Sequence, residues 1–179
     1  MAGEAQLMPA RELQQERIMR VFRLGVPVLF GLLAFAARSA SAQSAPSNGL
    51  VTLQSHHTVL ETIDRFEAAV RGRGWTIFTV IDHAAAAKAV GLTLRPRSVI
   101  VFGQPERGTD AMRSNPTLAI DLPMKALIWQ DDEDKVWLTY NSADYIVTDI
   151  YPRHGLSIPP AARDGMNQVF REFARQATD

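Results

Sequence analysis

The chain of 179 residues contains no cysteine. This absence excludes disulfide bonds, thiol nucleophiles and thiolate metal ligands. The chain also lacks an excess of either charge, because 19 Lys and Arg residues balance 19 Asp and Glu residues. Without a basic field to recruit nucleic acid, we expect no nucleic-acid partner. The G-K-[ST] motif of phosphate loops and the G-x-S-x-G motif of serine hydrolases are missing too.

Long apolar runs are scarce, and an unbroken one lies near the N-terminus at Val26–Ala37. It is shorter than the roughly 20 residues that a membrane-spanning helix needs. Arginines precede it and the small residues Ala40-Ser41-Ala42 follow it, which is the layout of a secretory signal peptide. We predict cleavage between Ala42 and Gln43 and a periplasmic or secreted bacterial protein, which contacts the membrane only through the signal segment before cleavage. An uncleaved membrane anchor is the alternative.

The remaining length is that of one domain, since domains average roughly 150 residues. We expect a signal segment over residues 1–42, a polar linker over 43–49 and a single domain over 50–179. The residues before Met19 are acidic and polar, unlike the start of a signal peptide. Translation from Met19 would give a more compact signal, and both starts, Met1 and Met19, stay open.

Strand and helix patterns alternate early in this domain, and several strands then precede a last helix. A T-x-x-E capping box at Thr58 and Glu61 predicts a helix that ends at Gly72, and Pro159-Pro160 suits the first turn of the last helix. An alanine-rich helix is predicted over residues 83–90, and a loop over 104–116. The predicted strands are residues 50–55, 75–81, 98–102, 117–122, 124–130 and 136–140, with 145–151 as a further strand or extended segment.

This order of elements predicts an α+β fold with two layers, in which helices pack on one face of a mostly antiparallel sheet. The other face of such a sheet can meet solvent or a partner. Trp75, Trp129, Trp137 and Tyr140 all fall in or beside predicted strands. Because side chains alternate between the two faces of a strand, we expect these four aromatic residues to be divided between the faces.

Candidate ligand-binding residues concentrate around the predicted loop after Phe102. Ligands often bind at helix N-termini and in clefts beside strand ends. We therefore predict one cleft where this loop meets the helix start at Asp82-His83 and the carboxylate of Asp121. The predicted ligand-binding residues are Asp82, His83, Arg97, Gly103, Pro105, Gly108, Thr109, Asp121, Lys125 and His154.

Asp121 stands between apolar residues, where a carboxylate is costly unless it is paired or hydrogen-bonded. A structural pair with Arg97, Arg113 or Lys125 is one reading, and a ligand-facing role is the other. A small hydrolase or isomerase would require Asp121, His83 and Arg97 to converge in one cleft. No motif fixes that geometry, so the sequence assigns no catalytic residue.

His83 and His154 are candidates for metal or haem ligands. His83 follows the predicted N-cap Asp82, where the helix dipole favours the neutral imidazole that binds metals. Met112 or Met124 would supply soft ligands beside them. No three-histidine site is visible in the sequence, and the cofactor remains unassigned.

A series of short motifs resembles one known family across residues 50–156. The motifs are Gly74-Trp75, Asp82-His83, Gly91-Leu92, Leu94-Arg95-Pro96, Phe102-Gly103-Gln104-Pro105, Gly108-Thr109, Met112, Asp121-Leu122-Pro123-Met124-Lys125, Trp129, Tyr140-Asn141 and Arg153-His154-Gly155-Leu156. Together and in this order they resemble the domain of unknown function 302. The resemblance implies a compact α+β domain, often seen as a dimer, and supplies no catalytic residues. The chain departs from the family pattern at Ile146–Pro152, which is longer than usual.

We therefore expect an exported module without catalytic activity that binds a small molecule or a periplasmic protein and forms a homodimer. A metal- or haem-handling protein that uses His83 and His154 is the alternative. A small hydrolase or isomerase is the lower alternative.

Overall fold

Five strands form one antiparallel sheet in the part of the chain that the structure, a computed structural model, describes, residues 48–179. Their spatial order is β1-β5-β4-β3-β2. The strands are β1 Leu50–Ser55, β2 Thr76–Asp82, β3 Arg97–Gly103, β4 Met124–Gln130 and β5 Val136–Asn141. Each of them matches a predicted strand, and the α+β fold class is confirmed.

Two helices, those after Thr58 and Asp82, begin where capping residues predict them. Thr58 and Glu61 form the reciprocal capping box, and the carboxylate of Asp82 accepts a hydrogen bond from the Ala85 amide at 2.9 Å. The helical elements are α1 Val59–Gly72, α2 His83–Ala89, α3 Pro105–Ser114, a 3₁₀ helix Pro116–Ile120, α4 Ala143–Tyr145, a π-helix Ile146–Ile150, α5 Tyr151–Arg153 and α6 Pro160–Thr178.

The hydrophobic core lies between the sheet and helices α1 and α6. Strand alternation directs Ala126 and Ile128 of β4 and Leu138 of β5 into it, each with no exposed surface. Phe66 of α1 and Phe173 of α6 pack against these strand residues from the helical layer. The predicted two-layer arrangement, with helices on one face, follows from this packing.

Aromatic residues occupy both faces of the sheet, as predicted. Trp75 packs edge-on against Phe173 in the core, with ring centroids 5.4 Å apart. Trp129 and Trp137 are cross-strand partners that stack at 6.2 Å. They alternate with the core residues of β4 and β5, so they lie on the opposite face, which we call the second face.

Three segments differ from the prediction. The predicted loop over 104–116 contains helix α3, Pro105–Ser114, because Pro105 stands at a helix N-terminus, where proline is well tolerated. The predicted strand over 117–122 is replaced by the 3₁₀ helix Pro116–Ile120, which Pro116 opens in the same way. Residues 145–151 are helical instead of extended. Ser142 caps that start by accepting a hydrogen bond from the Tyr145 amide.

The predicted signal segment over residues 1–42, its cleavage position and most of the 43–49 linker lie outside the described residues. Among residues 48–179, no helix combines the length and apolar character needed to cross a membrane.

Candidate functional site

A cavity of about 670 Å³ lies where the C-terminal end of β3 meets α3 and α6. We call it the α3–α6 cavity. Its lining residues are Trp75, Phe78, Gly103, Gln104, Pro105, Arg107, Gly108, Thr109, Ala111, Met112, Leu122, Pro123, Met124, Tyr151, Ile158, Ala162, Gly165, Met166 and Val169. Most of them are apolar, and Arg107 is the charged residue among them.

Small residues on the two helices leave room for this cavity. A Cβ atom added at Gly108 of α3 would lie 3.8 Å from Leu122 Cδ1 and from Met112 Cε, in ordinary contact distance. A Cβ atom at Gly165 of α6 would meet nothing within 4 Å. Ala162, Gly165, Met166 and Val169 recur at spacings of 3, 1 and 3 residues, one face of a helix. Both helices therefore present small or flexible side chains to the cavity.

Gly103 ends β3 at ordinary contact distance from Phe78 and Pro123. A Cβ atom there would lie 3.5 Å from both the Phe78 ring and Pro123 Cβ. Phe78 sits at a register shift of β2, between the pairs Ile77–Phe102 and Thr79–Val101. Such an irregularity re-aims a side chain at a sheet edge. Phe78 is 48% exposed and forms part of the cavity wall.

A hydrogen-bonded cluster around Asp121 stands beside the cavity. Asp121 Oδ2 accepts hydrogen bonds from His154 Nε2 at 2.6 Å and from Arg153 Nε at 2.9 Å. The other ring nitrogen, His154 Nδ1, lies 2.9 Å from Thr117 Oγ1. We call these four residues the Asp121 cluster. Because a carboxylate only accepts, His154 Nε2 carries the proton of its bond to Asp121, and the direction of the bond between Nδ1 and Thr117 Oγ1 follows the protonation of the ring.

Electrostatics explains why Asp121 is charged here. The hydrogen bond from His154 is the largest influence and lowers the pKa of Asp121 below its usual value; burial opposes it, and Arg153 lowers the pKa further. The His154 side chain is 6% exposed. The cluster ties the 3₁₀ helix to the segment after α5, and both flank the cavity wall at Leu122 and Tyr151.

A second pocket of about 340 Å³ lies on the other side of that wall. It shares Leu122, Pro123, Met124 and Tyr151 with the α3–α6 cavity. The π-helix contributes Ile146 and Ile150 to it. Its remaining lining residues are Asn48, Leu50, Phe102, Asp121, Lys125, Tyr140, Asn141, Tyr145 and Phe170. Burial raises the pKa of Tyr140 to about 12 and also raises that of Tyr151, so both phenols are neutral.

The structure places the predicted ligand-binding residues in two groups at opposite ends of β3. The first group lies at the C-terminal end of β3, around the two pockets. Gly103, Pro105, Gly108 and Thr109 line the α3–α6 cavity, Asp121 and Lys125 line the second pocket, and His154 stands behind Asp121.

Asp82, His83 and Arg97 lie at the other end of β3, since Asp82 pairs with Ser98 and Thr76 with Gly103. The six residue steps along β3 separate the two groups by roughly 20 Å. The prediction of one shared cleft is therefore wrong.

The same separation corrects two alternatives. His83 and His154 do not come together as a metal or haem pair, and Asp121 does not converge with His83 and Arg97. Among residues 48–179, no group of three His, Asp or Glu side chains is arranged to hold a metal ion. The partners of Asp121 are also corrected, because the pair forms with neighbours that are distant in sequence, Arg153 and His154.

Sequence reasoning missed the part of the cavity that comes from the C-terminal third of the chain. Tyr151, Ile158, Ala162 and Met166 were not candidates, although all line the cavity. The spacing of Ala162, Gly165, Met166 and Val169 along one helix face was an available signal. Nothing in it tells a cavity wall from ordinary helix packing.

Comparisons with known proteins bear on the family and the fold. The model of the family described as Domain of unknown function DUF302 matches residues 51–173. The proteins named "Fluoride-specific ion channel FluC 1" of Brucella suis biovar 1 and of Brucella abortus biovar 1 are each 43% identical over 111 residues. The match covers 62% of this chain but 42% and 40% of those proteins, so the chain spans about two fifths of their length.

A solved structure shares the fold. The crystal structure of an uncharacterised conserved DUF302 protein from Bacillus stearothermophilus superposes with a TM-score of 0.58 at 15% identity. It is covered completely and matches 74% of this chain. The resemblance drawn from the sequence motifs is thereby confirmed.

Proposed function

This chain belongs to the family Domain of unknown function DUF302, and we propose that it binds a small apolar molecule in the α3–α6 cavity. The observation that carries the proposal is the cavity itself, about 670 Å³ in volume and lined mostly by apolar side chains. Small-molecule pockets typically measure about 300–1,000 Å³ and are mainly apolar with a few polar groups. The cavity meets both conditions.

The lining chemistry favours a flexible, apolar ligand. Met112, Met124 and Met166 contribute unbranched thioether side chains, which adapt to irregular shapes. Trp75 and Phe78 add aromatic surface on the sheet side. The proposal is restricted to binding, because burial raises the pKa of the Tyr151 phenol in the lining, away from the near-neutral pKa that suits a general acid or base. The carboxylate of Asp121 lines the other pocket.

Filling the cavity from α3 tests this function. Gly108→Leu places a branched side chain toward Leu122 and Met112 without a close contact at Cβ. The full-length chain is titrated with Nile red, a neutral apolar dye, and its fluorescence is followed. We expect saturable binding to the unchanged chain and at least a tenfold loss in Gly108→Leu.

Gly72→Leu is the matched control, because Gly72 also lies in a helix and a Cβ atom there meets nothing within 4 Å. It should leave Nile red binding unchanged. Gly165→Phe fills the cavity from α6 and repeats the test independently, should Gly108→Leu fold poorly. Unchanged dye binding in folded Gly108→Leu and Gly165→Phe would refute the proposed function.

A second candidate comes from the named relatives. They are called fluoride-specific ion channels, and the region shared with this chain makes up 40–42% of each. We propose as the second candidate that the domain is an accessory module of a membrane assembly that handles fluoride. A ¹⁹F NMR titration of the chain, with chloride as competitor, tests for direct contact with the ion. Fluoride-selective saturation would favour this candidate, whereas its absence would contradict direct fluoride binding.

Homodimer formation is a further proposal, with the second face of the sheet as the interface. Its supporting observations are the stacked Trp129–Trp137 pair and two exposed apolar residues, Leu50 at 42% and Ile81 at 44%. A two-fold axis would place this face against its own copy. Ile81→Lys should raise the monomer fraction in multi-angle light scattering, whereas Leu60→Lys on α1 should not. A monomeric unchanged chain would refute the proposal.

We also propose that the protein is exported to the periplasm. Support comes from the apolar run Val26–Ala37 and the small residues Ala40-Ser41-Ala42 after it. Expression of the whole chain in a bacterium, followed by intact-mass measurement of the periplasmic fraction, tests this. A mature form that begins at Gln43 is expected. Uncleaved protein in the membrane fraction would contradict it.

A further inference from the structure

We propose that the ligand of the α3–α6 cavity is a single-chain amphiphile with one negative charge, such as a medium-chain carboxylate. Its acid group would lie at Arg107 and its hydrocarbon chain would extend between α3 and α6. This inference rests on the proposed function and adds the chemical class of the ligand.

The distribution of charge around the cavity carries the argument. Arg107 is the charged residue of the lining and stands in the first turn of α3, where it is exposed. Among residues 48–179 it takes part in no ion pair, whereas Arg113 on the same helix pairs with Asp110 at 2.9 Å. A guanidinium with free donors presents the geometry that binds a carboxylate in a bidentate manner. One anionic group can therefore be accommodated at this residue.

The rest of the cavity lining favours an apolar chain as the remaining part of the ligand. Beyond Arg107, the polar side chains of the lining are Gln104, Thr109 and Tyr151, all uncharged. Met112 of α3 and Met166 and Val169 of α6 add apolar surface to the lining. An apolar chain gains free energy there in proportion to the area that it removes from water. A second charged group would lose hydration without a partner.

These features separate the anionic amphiphile from other ligand classes. A neutral amphiphile gains nothing from Arg107, and a cationic one is repelled by it. A polyanion such as a nucleoside phosphate would need several cations or amide donors. The lining provides one cation.

A matched set of ten-carbon ligands tests the class. Decanoate, decanol and decylamine are each titrated as competitors of Nile red bound to the full-length chain, at neutral pH and low salt. We expect decanoate to bind roughly two- to fivefold more tightly than decanol, the upper part of the range for an exposed charge pair, and decylamine to bind most weakly. High salt should reduce the advantage of decanoate, because it screens exposed charges.

Two variants assign the effect to its residue. Arg107→Gln should lower the affinity for decanoate to that for decanol and leave decanol unchanged, and Arg107→Lys should keep part of the preference. Arg113→Gln, on the same helix, is the control and should change neither affinity. Equal binding of decanoate and decanol, or unchanged decanoate binding in Arg107→Gln, would overturn the ligand class. If Gly108→Leu still abolishes dye binding in that case, the proposed function stands and the charge preference fails.

Discussion

Replacing Asp121 by Asn tests whether the Asp121 cluster holds the cavity wall in place. Asn keeps an oxygen that can accept from His154 but loses the charge. Hydrogen bonds to charged groups contribute about 1.5–3 kcal/mol, against about 1 kcal/mol for neutral ones. The Arg153 side chain is 52% exposed, so solvent screens its pair with Asp121 and we count about 0.5 kcal/mol for it. The expected loss is about 1–2.5 kcal/mol in the free energy of unfolding.

The assay is urea unfolding at neutral pH, followed by tryptophan fluorescence. Asp110→Asn is the matched control, because it also removes a carboxylate that pairs with an arginine. That pair is exposed, with 77% and 74% of the two side chains accessible, and its loss should change the stability by less than about 0.5 kcal/mol. If Asp121→Asn is no more destabilising than Asp110→Asn, the cluster does not stabilise the wall.

The pH dependence of the free energy of unfolding tests the same variant, Asp121→Asn, in a second way. The pKa of Asp121 is lowered in the folded chain, chiefly by its hydrogen bond with His154. Its stabilising contribution is therefore fully present above the unfolded pKa of about 3.9 and is lost as the pH falls through the lower, folded pKa. The difference between the unchanged chain and Asp121→Asn should shrink in acid below about pH 4. A difference that grows on acidification would refute the assignment.

Three other substitutions have expected outcomes in the same unfolding assay. Phe173→Ala should lose about 3–5 kcal/mol, because Phe173 is 1% exposed at the centre of the aromatic cluster. Thr58→Ala should lose about 1 kcal/mol by removing the capping box with Glu61, and Thr58→Ser should restore most of it. Gly49→Ala should destabilise the chain, because Gly49 has a φ of 78° and an added Cβ would lie 2.5 Å from the Tyr145 ring. Gly74→Ala has the same backbone strain, but its Cβ would meet nothing within 4 Å. Comparing the two variants therefore separates the backbone strain from the steric clash.

The elements that could be predicted from the sequence are those whose pattern is local. Strand β4 and the helix after Thr58 carry their own periodicity and caps, and the structure has both where the residues place them. The segment 104–116 was predicted as a loop because Pro105 and Pro116 are compatible both with a loop and with a helix start. Proline interrupts strands and helices from within, but it also opens helices. The choice between the two depends on contacts that α3 makes with the rest of the fold.

The candidate site was predictable only where it follows one strand end. Gly103, Pro105 and Gly108 come together at one cavity because they continue directly from β3, and their role in ligand binding stays a prediction. The position of His83 depends on which end of β3 it pairs with, and antiparallel pairing of β2 sends it to the far end. The partners of Asp121 are 32 and 33 residues away. Such long-range pairs depend on the whole fold and leave no spacing signal in a single sequence.

The Asp121 cluster and the proposed ligand site share a wall, and this connection makes a last prediction. Leu122 follows Asp121 directly, and Tyr151 lies three residues before His154, so the cluster fixes two residues that line both pockets. Loss of the charge at Asp121 should loosen that wall and weaken Nile red binding severalfold under conditions where the chain is still folded.

Asp110→Asn changes an exposed carboxylate on α3 that is not among the lining residues, and it should leave dye binding unchanged. If both variants bind Nile red like the unchanged chain while Gly108→Leu does not, the cavity binds the dye without help from the cluster. The hydrogen bonds of His154 would then serve stability alone, because a wall that matters for binding cannot lose its support without a change in affinity.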